Sequence, residues 1–363
     1  MPLQAGIVGL PNVGKSTLFQ ALTSSKAEAA NYPFCTIEPN VGVVPVPDFR
    51  LSTLQDFIQT KKVIPTTVEI VDIAGLVKGA SRGEGLGNKF LGNIRNVDAI
   101  LHVVRCFDDG DITHVEGSID PLRDIETIET ELIFSDLESV ERRIVRFQKK
   151  ARSGEADAKL QLHVSERLKD TLESGQLISA ISWSEEEQAI IKEAQLITSK
   201  PFLFVCNIDE DSLEGNDYCK LVAEYAQQNG ARSLIICARA EAEIAELEED
   251  ERAEFLTDLG IGEPGLHKLA RETYHLLGLK TYFTAGEKEI RAWTIKEGYT
   301  APQAAGVIHT DFEKKFIKAE VYTIPDLQEH RTELGLKNAG KLRIEGKAYV
   351  VQDGDVMFFR VGG

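Results

Sequence analysis

The residues best suited to chemistry come first: Gly9-Leu10-Pro11-Asn12-Val13-Gly14-Lys15-Ser16, directly after the apolar run Ala5-Gly6-Ile7-Val8. Two glycines five positions apart, followed by Lys-Ser, let the backbone curl until successive N–H groups and a helix N-terminus point at one anion. Lys15 adds a compact positive charge suited to β- and γ-phosphates, and the Ser16 hydroxyl suits Mg²⁺. Asn12, Val13, Gly14, Lys15, Ser16 and Thr17 are therefore candidate phosphate-binding residues, with Lys15 also a candidate catalytic group. A Gly-rich turn is the bland alternative, and the motifs downstream weigh against it.

The first of these is Asp72-Ile73-Ala74-Gly75, at the end of a β-rich run. Asp72 can hold Mg²⁺ through a water, and the Gly75 amide can meet a γ-phosphate. Five glycines between Gly75 and Gly87 make a segment costly to order, which suits a switch that settles only around its ligand. Upstream, Thr36 in Pro33-Phe34-Cys35-Thr36 stands at the distance of a second hydroxyl ligand, so Ser16, Thr36 and Asp72 form the candidate metal set. Small GTPases orient the attacking water with a Gln after this motif, whereas this chain has Leu76. Hydrolysis is then slow or uses another group. His114, in the polar loop Asp108–His114, is a candidate; a solvated loop histidine is the competing view.

Base selection falls on Asn207-Ile208-Asp209-Glu210. GTPases place Asn-Lys-x-Asp there, and the Asp accepts the guanine N1–H and 2-amino group. Here Ile208 replaces the lysine stem that covers the base, and Glu210 is one methylene longer than Asp. Adenine offers a lone pair at N1, and Asn207 can satisfy its N6 and N7 edge. ATP is favoured over GTP, which stays open if Glu210 reaches guanine.

The elements that must position these groups follow from periodicity. Residues 68–73, 99–104, 202–206 and 233–237 read as buried parallel strands, and Thr17–Leu22 as a helix after the first loop. Roughly 75 helical residues intervene at 127–200: Leu137, Val140, Ile144 and Phe147 form one stripe, and Leu160, Val164, Leu168 and Leu172 another. With a turn at Arg152-Ser153-Gly154 they describe an antiparallel helical hairpin. Arg142, Arg146, Lys149 and Lys150 make a basic strip near its tip, either a solvated face or a contact for RNA or a partner. Glu241 to Glu254 reads as an acidic surface helix. After Gly278, short alternating strands and a helix over Ala301–Ile308 describe a small α+β module resembling the ubiquitin-like β-grasp. The expected fold is a doubly wound, mainly parallel P-loop NTPase sheet over 1–126 and 201–277, a helical insert at 127–200, and the module at 278–363.

Composition fits that plan. The chain has 363 residues, 42% hydrophobic and 27% charged, which is ordinary for a globular protein. Its net charge of −17 argues against wholesale coating of nucleic acid, and no DNA partner is expected. The last module holds twelve basic and twelve acidic residues over 281–363, so an RNA surface there stays open. No run is long enough to span a bilayer and the N-terminus lacks a signal-peptide pattern, so a cytoplasmic protein without a membrane partner is expected. Five scattered cysteines without CxxC pairing point to reduced thiols and away from disulfides or a zinc site.

Taken together, Gly9–Thr17, Asn31–Asn40, Asp72–Val77, Gly83–Leu91 and Asn207-x-x-Glu210 resemble the YchF family of Obg-like ATPases. Tyr282–Gly286 and Val350–Val356 resemble its TGS domain, and the likeness covers essentially the whole chain. The resemblance implies a GTPase-type fold that prefers ATP, Mg²⁺ dependence, and association with the ribosome (the 70S particle and its large subunit). It also implies phosphate binding by Asn12–Thr17, metal ligation by Ser16 and Thr36, and a hydrolytic role for His114. One departure is Cys237-Ala238-Arg239, where translational GTPases usually read Ser-Ala-Lys. A GTP switch and a nucleotide-stabilised, non-catalytic ribosome-binding module are the alternatives.

Overall fold

The apolar run before the first loop forms β1 (Gln4–Val8), the centre of a sheet whose other strands arise from similar sequence. The computed structural model describes residues 3–24, 40–73, 86–109, 118–153 and 155–362. The remaining strands are β2 (Val41–Pro45), β3 (Val63–Ile64), β4 (Thr67–Asp72), β5 (Ala99–Arg105), β6 (Phe202–Asn207), β7 (Arg232–Ile236), β8 (Leu279–Ala285), β9 (Ile290–Lys296), β10 (Phe316–Thr323), β11 (Arg343–Glu345) and β12 (Asp355–Val361). They form two six-stranded sheets, β2-β4-β1-β5-β6-β7 and β11-β10-β12-β8-β9-β3. The chain divides into two compact units, Met1–Val43 with Glu69–Leu269 and Val44–Val68 with Ala270–Gly363.

In the first unit β1 runs parallel to β4 and β5, β5 to β6, and β6 to β7. Every residue of β5 and β6 is buried, as in parallel strands covered on both faces. The four strands read from the sequence are β4 to β7, each within one residue of its expected ends. The helix after the first loop spans Lys15–Ser24. This is a P-loop NTPase fold with a mainly parallel, doubly wound sheet.

The helical hairpin consists of helices Pro121–Arg152 and Ala156–Glu173. Its first helix starts before the expected position 127, because Asp120 accepts the Arg123 N–H at 3.2 Å and Pro121 fills the first turn. Its base is tied into the same unit as the sheet. Arg95 donates to Ser135 Oγ at 3.0 Å and Ser139 Oγ at 3.2 Å, and Asp136 Oδ2 accepts both Thr198 N (2.7 Å) and Oγ1 (2.8 Å). The insert therefore does not separate as a compact unit of its own. Val140, Phe147, Val164, Leu168 and Leu172 are buried, but Leu160 is 40% exposed. A four-residue repeat drifts by about 40° per step on a helix of 3.6 residues per turn, so after three steps the stripe has left the seam. In the basic strip Arg142 pairs with Glu138 at 2.7 Å, and Lys150 with Glu155 at 3.3 Å.

The acidic stretch also departs from expectation. It forms two helices, Ala238–Glu246 and Glu249–Asp258, and Glu241 is buried. Its carboxylate accepts the Gly265 N–H at 2.5 Å and the Leu266 N–H at 3.2 Å, at the N-terminus of helix Gly265–Leu276. A carboxylate there satisfies orphan amides and meets the positive end of the helix dipole.

The second unit contains more chain than expected. Its sheet pairs β10 antiparallel to β11 and β12, β12 parallel to β8, and β8 antiparallel to β9. Helix Ala301–Ile308, with its expected bounds and a Thr300/Gln303 capping box, covers a core of Tyr282, Phe316, Val321 and Met357. The opposite core takes Leu51 and Leu54 from helix Phe49–Phe57, which pack with Phe283, Ile290, Leu327 and Val356. β3 adds an edge strand parallel to β9. Residues 44–68 thus complete this module, although their position in the sequence placed them in the first domain. A two-residue strand and a nine-residue helix carry too little periodicity to announce such a partner.

Candidate functional site

Strand β1 ends at Val8, the loop follows, and Lys15 opens the helix, so the site sits at the carboxyl edge of a parallel sheet. Two residues give the loop its curl: Asn12 at φ 63° and Gly14 at φ 90°. An L side chain at Gly14 would meet a second obstacle, because its Cβ would lie 2.1 Å from Asn207 Nδ2. Val13 is buried beneath the loop, whereas Asn12, Ser16 and Thr17 are exposed.

The structure brings two predicted residues from distant parts of the chain, Asp72 and Asn207, onto this loop. Lys15, only 9% exposed, forms an ion pair through Nζ with Asp72 Oδ1 at the end of β4. Asn207, at the end of β6 and 4% exposed, donates from Nδ2 to the Val13 carbonyl at 2.9 Å. Its Oδ1 accepts the Ala238 N–H at 3.0 Å. One buried amide thereby joins the phosphate loop to the segment following β7. Its described partners are these two backbone groups, so it ties the two loops together.

Ile208 is 3% exposed, belongs to the core, and donates its N–H to the Ile236 carbonyl at 2.9 Å. Glu210 is exposed and pairs with Arg239 Nε at 3.3 Å. Thr36, Gly75 and His114 lie outside the described residues, as do Cys35 and Leu76.

Sequence reasoning missed two features here. The Ala238 amide and Val13 carbonyl had no residue-type signal, because any residue supplies a backbone group. Three cysteines far apart in sequence, Cys106, Cys206 and Cys219, converge with their sulfurs within 4.8 Å of one another. Spacing rules look for neighbours along the chain and pass over such a cluster. No helix of the described residues is long and apolar enough to cross a membrane.

Comparison with known proteins agrees with this architecture. A family model described as a 50S ribosome-binding GTPase matches residues 4–138, and the YchF GTPase C-terminal model, described as a protein of unknown function, matches 279–362. The chain is 58% identical over 360 residues to the ribosome-binding ATPase YchF of Haemophilus ducreyi, covering 99% of each chain. It is 54% identical over 363 residues to the protein of that name in Bacillus subtilis, again over 99% of each. The solved YchF GTPase of Schizosaccharomyces pombe superposes with a TM-score of 0.90 at 39% identity, over 99% of this chain and 97% of that one. A GTP-binding protein from Pyrococcus horikoshii shares the fold, with a TM-score of 0.60 at 20% identity. With curated relatives this similar along its whole length, the chain belongs to the YchF family.

Proposed function

We propose that this protein is a Mg²⁺-dependent ATPase that associates with the ribosome in the cytoplasm. The observation that carries the nucleotide part is the convergence of Lys15, Asp72 and Asn207 on one glycine-curled loop. The donor set suits a triphosphate with its cation: an ammonium and a carboxylate already neutralise each other, and two exposed hydroxyl residues open the helix behind them. Asn12–Thr17 and the Gly75 amide would hold the phosphates; Ser16, Thr36 and Asp72 would hold Mg²⁺. When bound, Mg²⁺ offsets phosphate charge. With a nucleotide bound, Lys15 would meet phosphate oxygens in place of Asp72, leaving that carboxylate for the cation.

Adenine is favoured on a revised ground. The carboxylate that would accept guanine N1–H is Glu210, and its exposed ion pair with Arg239 at 3.3 Å is a modest competitor for guanine donors. Asn207 supports the base site from behind. Leu76 offers nothing to orient water, so His114 is the proposed group and intrinsic turnover is slow. The ribosome as partner rests on what the relatives are named for. The large subunit and RNA contacts through the hairpin and the C-terminal module, read as a TGS domain, are finer proposals of the same kind.

The test measures ATP and GTP hydrolysis with Mg²⁺ by the full chain and by Lys15→Ala, with and without ribosomes. Turnover of ATP that collapses in Lys15→Ala and rises with ribosomes is expected. Equal rates for the two proteins would remove the enzymatic proposal. Preferential use of GTP would remove the base assignment, and failure to sediment with ribosomes in any nucleotide state would remove the partner.

A further inference from the structure

Cys106, Cys206 and Cys219 come from three separate elements: the residue after β5, the body of β6, and the first turn of helix Asp217–Gln228. All three are buried and carry free thiols, at 0%, 0% and 4% exposure. Their backbones are locked into one frame. Cys106 N–H donates to the Asn207 carbonyl at 2.8 Å, tying the end of β5 to β6. Asn216 then joins Cys106 to Cys219, donating from Nδ2 to the Cys106 carbonyl at 2.7 Å while its Oδ1 accepts the Cys219 N–H at 3.1 Å.

What the frame fixes is three soft donors whose sulfurs lie within 4.8 Å of one another. In a tetrahedral zinc–thiolate site with Zn–S of about 2.3 Å, the sulfurs stand about 3.8 Å apart. The observed separations, within 4.8 Å, need each sulfur to close by less than about 1 Å, a side-chain adjustment. We propose that Cys106, Cys206 and Cys219 form a binding site for a thiophilic closed-shell cation, Zn²⁺ or Cu⁺, with three sulfur ligands. Thiolate donors select these ions over Mg²⁺ or Ca²⁺. For zinc the step is Zn²⁺ plus three thiols giving one tris-thiolate complex and three protons, with no change of oxidation state. The complex carries one negative charge. Arg105, 1% exposed and next to Cys106, supplies a cation in the same segment, where its guanidinium donates to the carbonyls of Phe107 (3.1 Å) and Asp109 (3.2 Å).

The site does not depend on the nucleotide proposal. An ion there would staple β5, β6 and helix Asp217–Gln228 together immediately behind Asn207.

The test uses the full chain carrying Cys35→Ser, stripped by chelator and kept anaerobic with a non-thiol reductant, with Zn²⁺ and Cd²⁺ as probes. One equivalent of Cd²⁺ is expected to produce a thiolate charge-transfer band, and X-ray absorption to report three sulfur neighbours. Cys219→Ser, in the helix turn and outside the sheet, should weaken binding at least tenfold, whereas Cys237→Ser should leave it unchanged. Zinc should also raise the melting temperature of the parent and not that of Cys219→Ser. A metal shell of oxygen and nitrogen only, or equal Cd²⁺ affinity in parent and Cys219→Ser, overturns the proposal. The absorption measurement needs no variant in the cluster, so a misfolded substitution does not protect the idea.

Discussion

The two sheets of this molecule are assembled in contrasting ways. The first unit orders its strands so that the ends of β1, β4 and β6 converge, and polar side chains at those ends join the loops. The second unit is held by apolar cores on its sheet and by a segment, 44–68, that arrives from more than two hundred residues upstream. In the first, removing one buried polar contact should change function before stability. In the second, the same kind of loss should change stability and leave the nucleotide chemistry alone. The difference separates a site built for a ligand from a module built for its surface.

Gly14→Ala offers the hardest strike at the first unit. The new methyl would need a φ of 90° and would lie 2.1 Å from Asn207 Nδ2, so loop and amide cannot both stay in place. ATP affinity should fall at least about 100-fold, equivalent to about 3 kcal/mol. Titration with a fluorescent ATP analogue measures it. Adding Asn207→Ala should recover part of the loss if the clash is the cause, since the two sites then couple. Strictly additive losses would refute the view that Asn207 sets this loop.

Why the loop was legible and the other module only partly so follows from range. Gly9 to Ser16 encodes its conformation within eight residues, and β5 and β6 announce themselves by largely apolar runs, broken in β5 by His102. Asn207 reads as a site residue from its place after β6, but residue type cannot show that its side chain also holds the Val13 carbonyl and the Ala238 amide. Glu241 was taken for surface because an acidic run usually is, while the N-terminus that buries it begins at Gly265. Leu51 and Leu54 show an ordinary helical spacing that says nothing about which core receives them. In each case the missing information is a long-range partner.

The second unit is best tested at Arg50. Its guanidinium donates to Asp48 Oδ2 at 2.6 Å and to Asp353 Oδ2 at 2.6 Å, and lies 5.0 Å from the Phe283 ring centroid. It thereby fixes helix Phe49–Phe57 to the turn before β12. Arg50→Ala leaves the mostly buried Asp48 and the exposed Asp353 without their shared cation. A cost of about 2 to 3 kcal/mol is expected, below the range for a fully buried pair because the arginine is 22% exposed. Urea unfolding should show the loss while ATP turnover per folded molecule stays at the parent value. Unchanged stability would mean that segment 44–68 is held by its leucines alone.

The smallest effect returns to the first unit and asks whether its polar contacts are all in the service of the site. Glu129, on the hairpin's first helix, accepts the Tyr225 hydroxyl at 2.5 Å and is 5% exposed. Burial pushes its carboxyl up to about 7; the Tyr225 hydrogen bond works in the opposite direction, and neighbouring Glu126 adds to the rise. The folded chain therefore holds this proton more tightly than the unfolded chain, whose glutamate titrates near 4.5. Above pH 7 the ionised group is buried at a cost, and that cost disappears as pH falls from 7 toward 4.5. Glu129→Gln keeps an acceptor for Tyr225 and removes the charge. It should stabilise the protein at pH 8 by about 1 to 2 kcal/mol, less than the full linkage value because a buried amide has its own desolvation cost. The gain should shrink as pH falls through 7 and be smallest near pH 4.5. A pH-independent difference between the two proteins would place Glu129's proton elsewhere and make the tyrosine contact an ordinary charged hydrogen bond.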